Sequence, residues 1–333
     1  MTSADESGGA ARLVAGANHV VALVGAGRSV ESGIPPFRGP GGVWTRFGEL
    51  PMNGFQRFLQ DPAAYWGEQS QPAVEGPRAE LANALQHARP NPGHHALVTL
   101  ECMGIPRMTI AQNFDGLHLT AGAAKLVEIH GNRNKLRCLG CGLRLLRADW
   151  PLERLARHRD VLTCPECGGL VKGDGVMFGE PIPRPWADEA IRHVARCDCM
   201  LLVGTSGTVY PAAAFPRQVK ADGGVLIEVK SLPTPFTPLC DVVLAESAAK
   251  ALPERVERVV QLKRTWGRSV WESPSASSPC GAASSWTPHR SASGRSSQPL
   301  SVCAAGSAPA TLCSGTSLAW AGRWSFRWTS MAL

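Results

Sequence analysis

Four cysteines fall in two short pairs, Cys138-x-x-Cys141 and Cys164-x-x-Cys167, separated by 22 residues. Two such knuckles can close a tetrahedral thiolate cage around zinc. Pro165, Gly140, Gly142, Gly168 and Gly169 supply the tight turns that knuckles need. Four protein ligands leave no open coordination position, so a single Zn(2+) would be structural rather than catalytic. A redox dithiol is the competing reading. Cys197 and Cys199 have the wrong spacing for a second site and are expected to pack beside the strand beginning at Met200. A second constellation is glycine-rich: Gly25-Ala26-Gly27-Arg28-Ser29 follows an apolar run. Glycines at a strand-to-helix turn let backbone N–H groups approach a pyrophosphate. The dehydrogenase fingerprint fails, because Val30 stands where its third glycine belongs. Farther along lie Asn113, Asp115 and His130. An imidazole with an ordinary pKa of about 6.5 can accept a proton near neutral pH. Taken singly, a histidine at a strand end is a packing residue and Asn113 and Asp115 are turn caps.

Taken in order, these pieces form longer strings. Gly25 through Gly39 resembles the sirtuin signature GAGxSxxSGIPxFRG. Gln112-Asn113-Phe114-Asp115-Gly116-Leu117-His118 resembles the family's QNIDxLH segment, and Glu128-Ile129-His130-Gly131 its catalytic-histidine segment. Gly204-Thr205-Ser206 through Pro211-Ala212 resembles its second nucleotide-binding turn. Val176-Met177-Phe178-Gly179-Glu180 resembles its substrate-peptide edge, the alternative being a plain buried strand that turns at Gly179. The resemblance covers about residues 19–262.

The resemblance implies an NAD-dependent protein-lysine deacylase of bacterial type. The acyl-lysine carbonyl oxygen would displace nicotinamide from the ribose, and His130, as general base, would activate a ribose hydroxyl against the resulting imidate. Water would then release free lysine and O-acyl-ADP-ribose. Gly25, Ala26, Gly27 and Ser29 would line pyrophosphate and ribose. Phe37 would shield the reactive carbon, and Arg38 would order its loop. Gln112, Asn113 and Asp115 would hold the nicotinamide end. Gly204, Thr205, Ser206, Lys230 and Ala248 would contact the phosphate and adenosine end. Val176 and Phe178 would meet an acylated-lysine peptide, added as a strand. Mono-ADP-ribosyl transfer and a catalytically weak NAD- or ADP-ribose-binding module are the alternative functions.

Some positions depart from the family pattern. Arg28 replaces an apolar residue, Pro36 an acid, Phe114 an isoleucine, and Lys230 an asparagine at the adenosine ribose. No Tyr-x-x-Arg pair for acidic acyl groups is visible in the 50–75 stretch, since Glu68 stands three residues on from Tyr65. A negative charge there would repel succinyl or malonyl groups, which favours acetyl or longer neutral ones.

The elements that must position these residues follow from hydrophobic patterning. Continuous apolar runs at His19–Val24, Met108–Ala111, Leu126–Ile129, Met200–Val203, Val225–Val229 and Val242–Leu244 read as strands buried on both faces of a parallel sheet. Helical candidates, such as Ala79–Ala88 and His94–Cys102, alternate with them, giving a doubly wound, Rossmann-like α/β fold. Residues 19–35, 91–131 and 184–262 would form the NAD-binding domain, after an N-terminal segment of residues 1–18. Segments 36–90 and 132–183 would form a smaller helical and zinc-ribbon domain. A last helix is expected at Glu254–Leu262, where Val256, Val259 and Val260 repeat at helical spacing.

After Lys263 the chain turns to Ser, Ala, Gly and Trp and loses all periodicity, which reads as an aberrant or poorly ordered extension. Of the net charge of +7, that tail carries +5, so the core is not expected to bind nucleic acid. No 18-residue apolar run suggests a membrane span, and the acidic N-terminus does not resemble a secretory signal. A cytoplasmic protein with reduced thiols is expected.

Overall fold

A six-stranded parallel sheet runs in the order β3-β2-β1-β7-β8-β9. Its strands are β1 (Val20–Val24), β2 (Met108–Ala111), β3 (Leu126–Glu128), β7 (Cys199–Val203), β8 (Val225–Val229) and β9 (Val242–Leu244). The computed structural model describes residues 3–71, 73–150 and 161–266, with side chains from residue 8 onward. The apolar runs are strands because both faces of the sheet are covered. Val20, Ala22 and Val24 pack under α1 (Ser3–Gly16), α6 (Pro92–Cys102) and α10 (Ala248–Trp266). Val21 and Leu23 pack under α8 (Arg184–Val194) and α9 (Phe215–Ala221). Full burial of a side chain such as Leu23 contributes about 1.5–3 kcal/mol.

Three strand ends differ from expectation. His19 and Ile129 lie outside their strands, and Cys199 lies inside β7 rather than beside it. Both Cys197 and Cys199 are buried, and burial pushes each thiol up to about 12.

The sheet reverses its winding between β1 and β7, the place where ligands bind in open α/β sheets. The segment from 36 to 90 is helical: α2 (Val43–Phe47), α3 (Gly54–Gln60), α4 (Pro62–Ser70) and α5 (Gly76–His87). A second, antiparallel sheet, β5-β4-β6, is built from β4 (Lys135–Cys138), β5 (Arg144–Leu146) and β6 (Val171–Gly173). It shares a small core with α4, where Trp66 packs with Leu136, Cys138, Leu162, Cys164 and Val171.

The helices also differ from expectation at their ends: α5 begins three residues earlier and ends one earlier, and α10 ends four residues later. α6 begins at Pro92 because Asn91 caps it: the Asn91 side chain accepts from the His94 N–H, and His94 Nδ1 accepts from the Asn91 N–H (3.1 Å). α10 starts six residues earlier than expected and runs through Pro253. Proline there removes a helix bond and costs roughly 3 kcal/mol. Burial of Ala248, Ala251, Leu252, Val256 and Val259 against the core offsets that cost. Residues 267–333, which hold nearly all of the compositionally odd tail, lie outside the described residues. Among the described residues no helix is long and apolar enough to cross a membrane.

Candidate active site

The turns after β1 and β7 interlock where the winding reverses. Gly25 N–H donates to the Val203 carbonyl (2.9 Å) and Gly27 N–H to the Gly204 carbonyl (2.8 Å). A Cβ on Gly27 would stand 2.7 Å from that same Gly204 oxygen, so only glycine permits the approach.

Ser29, buried just after the turn, ties two polar residues together. Its Oγ donates to Asp115 Oδ2 (2.7 Å) and accepts from Asn113 Nδ2 (3.0 Å). Gln112 Nε2 donates to Thr205 Oγ1 (2.9 Å), linking the ends of β2 and β7. The Gln112 carbonyl lies 3.0 Å from His130 Nδ1. A carbonyl can only accept, so Nδ1 carries the proton and the lone pair resides on Nε2. Burial lowers the His130 pKa and the Gln112 carbonyl partly restores it, so the imidazole is neutral at pH 7 and able to act as a base. These bonds make three groups at the carboxyl end of the sheet: Gly25 and Gly27 tied to Val203 and Gly204, Ser29 with Asn113 and Asp115, and Gln112 with Thr205 and His130; Ala26 lies in the β1 turn itself.

An aromatic row borders these groups. Phe37 stands 6.2 Å from Phe114 and 4.7 Å from Trp44, and Trp44 stands 5.6 Å from Phe178, centroid to centroid. Trp44 was not foreseen; its place just behind the Gly-rich loop was the available signal. Arg38 lies over Trp44, pairs with Glu49 (2.8 Å) and reaches Thr208 Oγ1 (3.4 Å), which also contacts Ser206 Oγ (2.9 Å). Ala248 is not joined to the three groups by these bonds; it is buried against Gly93 at the start of α10. Lys230 directly follows β8.

His130 is held from behind by charge. The Val176 N–H donates to the His130 carbonyl (2.9 Å), and a Cβ on Gly131 would stand 2.1 Å from the Asp174 carbonyl oxygen. Asp174 is fully buried; its carboxylate accepts from the Asn132 N–H (2.8 Å) and from Arg144 Nε and Nη2 (2.9 and 2.6 Å). Glu128 accepts from Arg144 Nη2 (2.8 Å), Lys135 Nζ (3.1 Å) and the Asn132 amide. Glu180 accepts from Arg137 Nη2 (2.5 Å), Lys172 Nζ (3.0 Å) and the Met177 N–H (2.8 Å). Arg137 and Arg144 both cover the Trp186 ring. These pairs join the cysteine-bearing sheet to the His130 turn and to the Val176–Phe178 segment. That segment is irregular chain leading into a turn at Phe178–Gly179, with Gly179 at φ 82°, and not a strand.

The four knuckle sulfurs converge among the described residues: all lie within 4.8 Å of one another. Cys138 Sγ to Cys167 Sγ is 3.5 Å and Cys141 Sγ to Cys164 Sγ is 3.6 Å. Zinc with Zn–S bonds of about 2.3 Å needs tetrahedral edges of about 3.8 Å, so the donor set fits that ion.

The departures at Arg28 and Tyr65 acquire physical meaning. Arg28 is wholly buried, and its guanidinium meets His118 at 3.4 and 3.5 Å through both ring nitrogens, so neither contact is a directed bond. Among the described residues its Nε and Nη2 have no hydrogen-bond partner, and burial pushes its pKa down to about 9 against the pull of Asp115. Burial, then the charge of Arg28, depresses His94 to about 2 and His118 well below its ordinary value. We expect Arg28→Met to raise the melting temperature at pH 7 by the equivalent of about 1–3 kcal/mol, because it removes a buried charge with little change of volume. Both histidines are depressed in the folded state, so their contribution is complete above pH about 6.5 and is lost as pH falls below it. The variant should therefore also lose less stability between pH 7 and pH 5. A variant less stable than the parent across that range overturns this reading of Arg28.

Tyr65 packs against the small core of the antiparallel sheet. Its ring packs between Phe58 and Trp66, and its hydroxyl accepts from the Gly173 N–H (3.2 Å). For Pro36 the structure offers no account.

Comparison with known proteins bears on the whole arrangement. A model of the Sir2 family matches residues 25–211. The chain is 40% identical over 255 residues to NAD-dependent protein deacylase 2 of Pyrobaculum aerophilum, covering 77% of this chain and 96% of that one. A Sir2 homologue solved with NAD superposes with a TM-score of 0.62 at 33% identity, over 76% of this chain and 94% of that one. Sir2Af2 bound to a myristoylated histone peptide gives a TM-score of 0.54 at 31% identity, over 79% and 99%.

Proposed function

The chain belongs to the Sir2 family and is an NAD-dependent protein deacylase, and we propose that His130 is its general base. The observation that carries this is the His130–Gln112 hydrogen bond, which leaves the Nε2 lone pair on a neutral imidazole beside the Ser29–Asn113–Asp115 cluster. In this reading Asn113 and Asp115 orient the nicotinamide end of NAD. The interlocked turns at Gly25–Gly27 and Gly204–Ser206 take the pyrophosphate through backbone N–H groups. Phe37 and Trp44 exclude water from the reacting carbon. Val176 and Phe178 receive an acylated-lysine peptide, in keeping with the peptide-bound Sir2Af2. The purified protein should release nicotinamide only when an acyl-lysine peptide is supplied. Transfer of the ADP-ribosyl group to protein without peptide deacylation would replace this reading with the transferase one.

The converging cysteines fit one structural zinc, and a cytoplasmic location belongs to the same reading. The parallel sheet with its helices would be the NAD-binding domain, and residues 36–90 with the antiparallel sheet the smaller one. We further expect the functional unit to close with α10. A chain ending after Trp266 should keep its melting temperature and deacylation rate, both measured beside the full chain. Unfolding or loss of NAD binding on truncation would make the remaining residues integral.

A further inference from the structure

We propose that Lys230 equips the adenosine end of the cleft to seat a 2′-phosphate, so that this chain binds 2′-phosphorylated adenine dinucleotides, the NADP class, alongside NAD. The inference rests on the NAD-binding reading of the same cleft.

Topology supplies the first argument. β8 lies next to β7 in register, Val229 opposite Val203, and the Gly204 N–H donates to the Val229 carbonyl (3.1 Å). Lys230 therefore flanks Gly204, the first residue of the phosphate-side turn, at the carboxyl end of the sheet. Side chains alternate along a strand, so Leu226 and Glu228 share one face of β8, and Lys230, the next residue after the strand, continues that alternation. Leu226 on that face joins Phe236 in the core, and Gly207 of the turn lies directly against the Phe236 ring. The Ser206–Thr208 turn and Lys230 thus lie on one side of the sheet.

Charge supplies the second. In doubly wound nucleotide sites, a carboxylate at this kind of strand end holds the ribose hydroxyls and repels a 2′-phosphate, whereas a cation accommodates it. Here the strand end reads Val229-Lys230-Ser231 and the facing turn Gly204-Thr205-Ser206-Gly207-Thr208, hydroxyls without an acid. Among the described residues no carboxylate pairs with Lys230. Glu228, the acid that acts on it, is buried and its oxygens are taken by the hydroxyls of Thr234 and Thr237. Burial lowers the pKa of this half-buried ammonium and Glu228 offsets that only in part, so an anion bound directly to it would favour the charged form. Arg38 also reaches Thr208 (3.4 Å), but its charge is paired with Glu49 (2.8 Å), which leaves Lys230 as the cation that would meet the phosphate.

The test titrates ADP-ribose and 2′-phospho-ADP-ribose into the full chain by calorimetry, at low and high salt. The parent should bind the 2′-phosphorylated ligand at least as tightly. Lys230→Asn should shift the ratio of the two affinities about tenfold against it, Lys230→Arg should restore the ratio, and added salt should erode the preference. A parent that binds ADP-ribose but excludes its 2′-phosphate overturns this proposal and leaves the deacylase reading standing. Equal weakening of both ligands in Lys230→Asn assigns the lysine to the pyrophosphate and also overturns it. Failure of both ligands to bind, with no peptide-dependent nicotinamide release, faults the NAD cleft itself.

Discussion

Replacing His130 with alanine should lower peptide deacylation by about 10²–10⁴-fold, the usual worth of a positioned general base. NAD affinity should change little, because the Ser29–Asn113–Asp115 triangle and the interlocked glycine turns do not depend on the imidazole. The sign of the pH dependence follows from burial. His130 titrates below its ordinary value, so it stays neutral, and competent as a base, somewhat below pH 6.5. The acid limb of kcat/KM in the parent should accordingly fall at lower pH than a free imidazole would dictate, and it should vanish in the alanine variant. Single-turnover assays with an acetyl-lysine peptide, together with NAD binding by calorimetry, check both statements. Deacylation within a few-fold of the parent would remove His130 from the base role.

Loss of the metal should have the other large effect. Cys164→Ser breaks a set of four sulfurs whose spacing fits a zinc tetrahedron, and structural zinc sites in small modules carry roughly 10 kcal/mol or more of folding free energy. We expect the variant to hold no zinc by metal analysis and to melt about 10 °C or more below the parent. The damage should reach beyond the knuckles. Arg144, on the strand after Cys141, neutralises both Asp174 and Glu128, buried carboxylates behind the His130 turn. Removing one partner of a buried pair costs about 3–5 kcal/mol, because the other charge is left uncompensated. Peptide affinity should therefore suffer more than NAD affinity, since Met177 and Glu180 belong to the charged network while the glycine turns belong to the parallel sheet. A soluble, active, zinc-free parent protein would refute the metal assignment.

How much of this was legible beforehand depends on the range of the forces involved. By itself the sequence determined the two thiol knuckles, the glycine turns, the cluster around His130 and the parallel strands. Each is written in a short contiguous string: ligand spacing, a Gly-x-Gly turn, or an apolar run buried on both faces. Helix ends were read less well because capping and burial compete. Pro253 signals a break, yet α10 continues through it because Leu252, Val256 and Val259 are buried. What only the tertiary structure decided is the company each charge keeps. Nothing local marks Arg28 as a buried cation beside His118, or Tyr65 as a core residue bonded to Gly173. Glu128, Arg137, Arg144, Lys172, Asp174 and Glu180 come from separate turns and strands and follow no period. Coulombic pairing acts through space between residues that chain entropy keeps apart until the fold has closed, so it leaves no pattern along the chain.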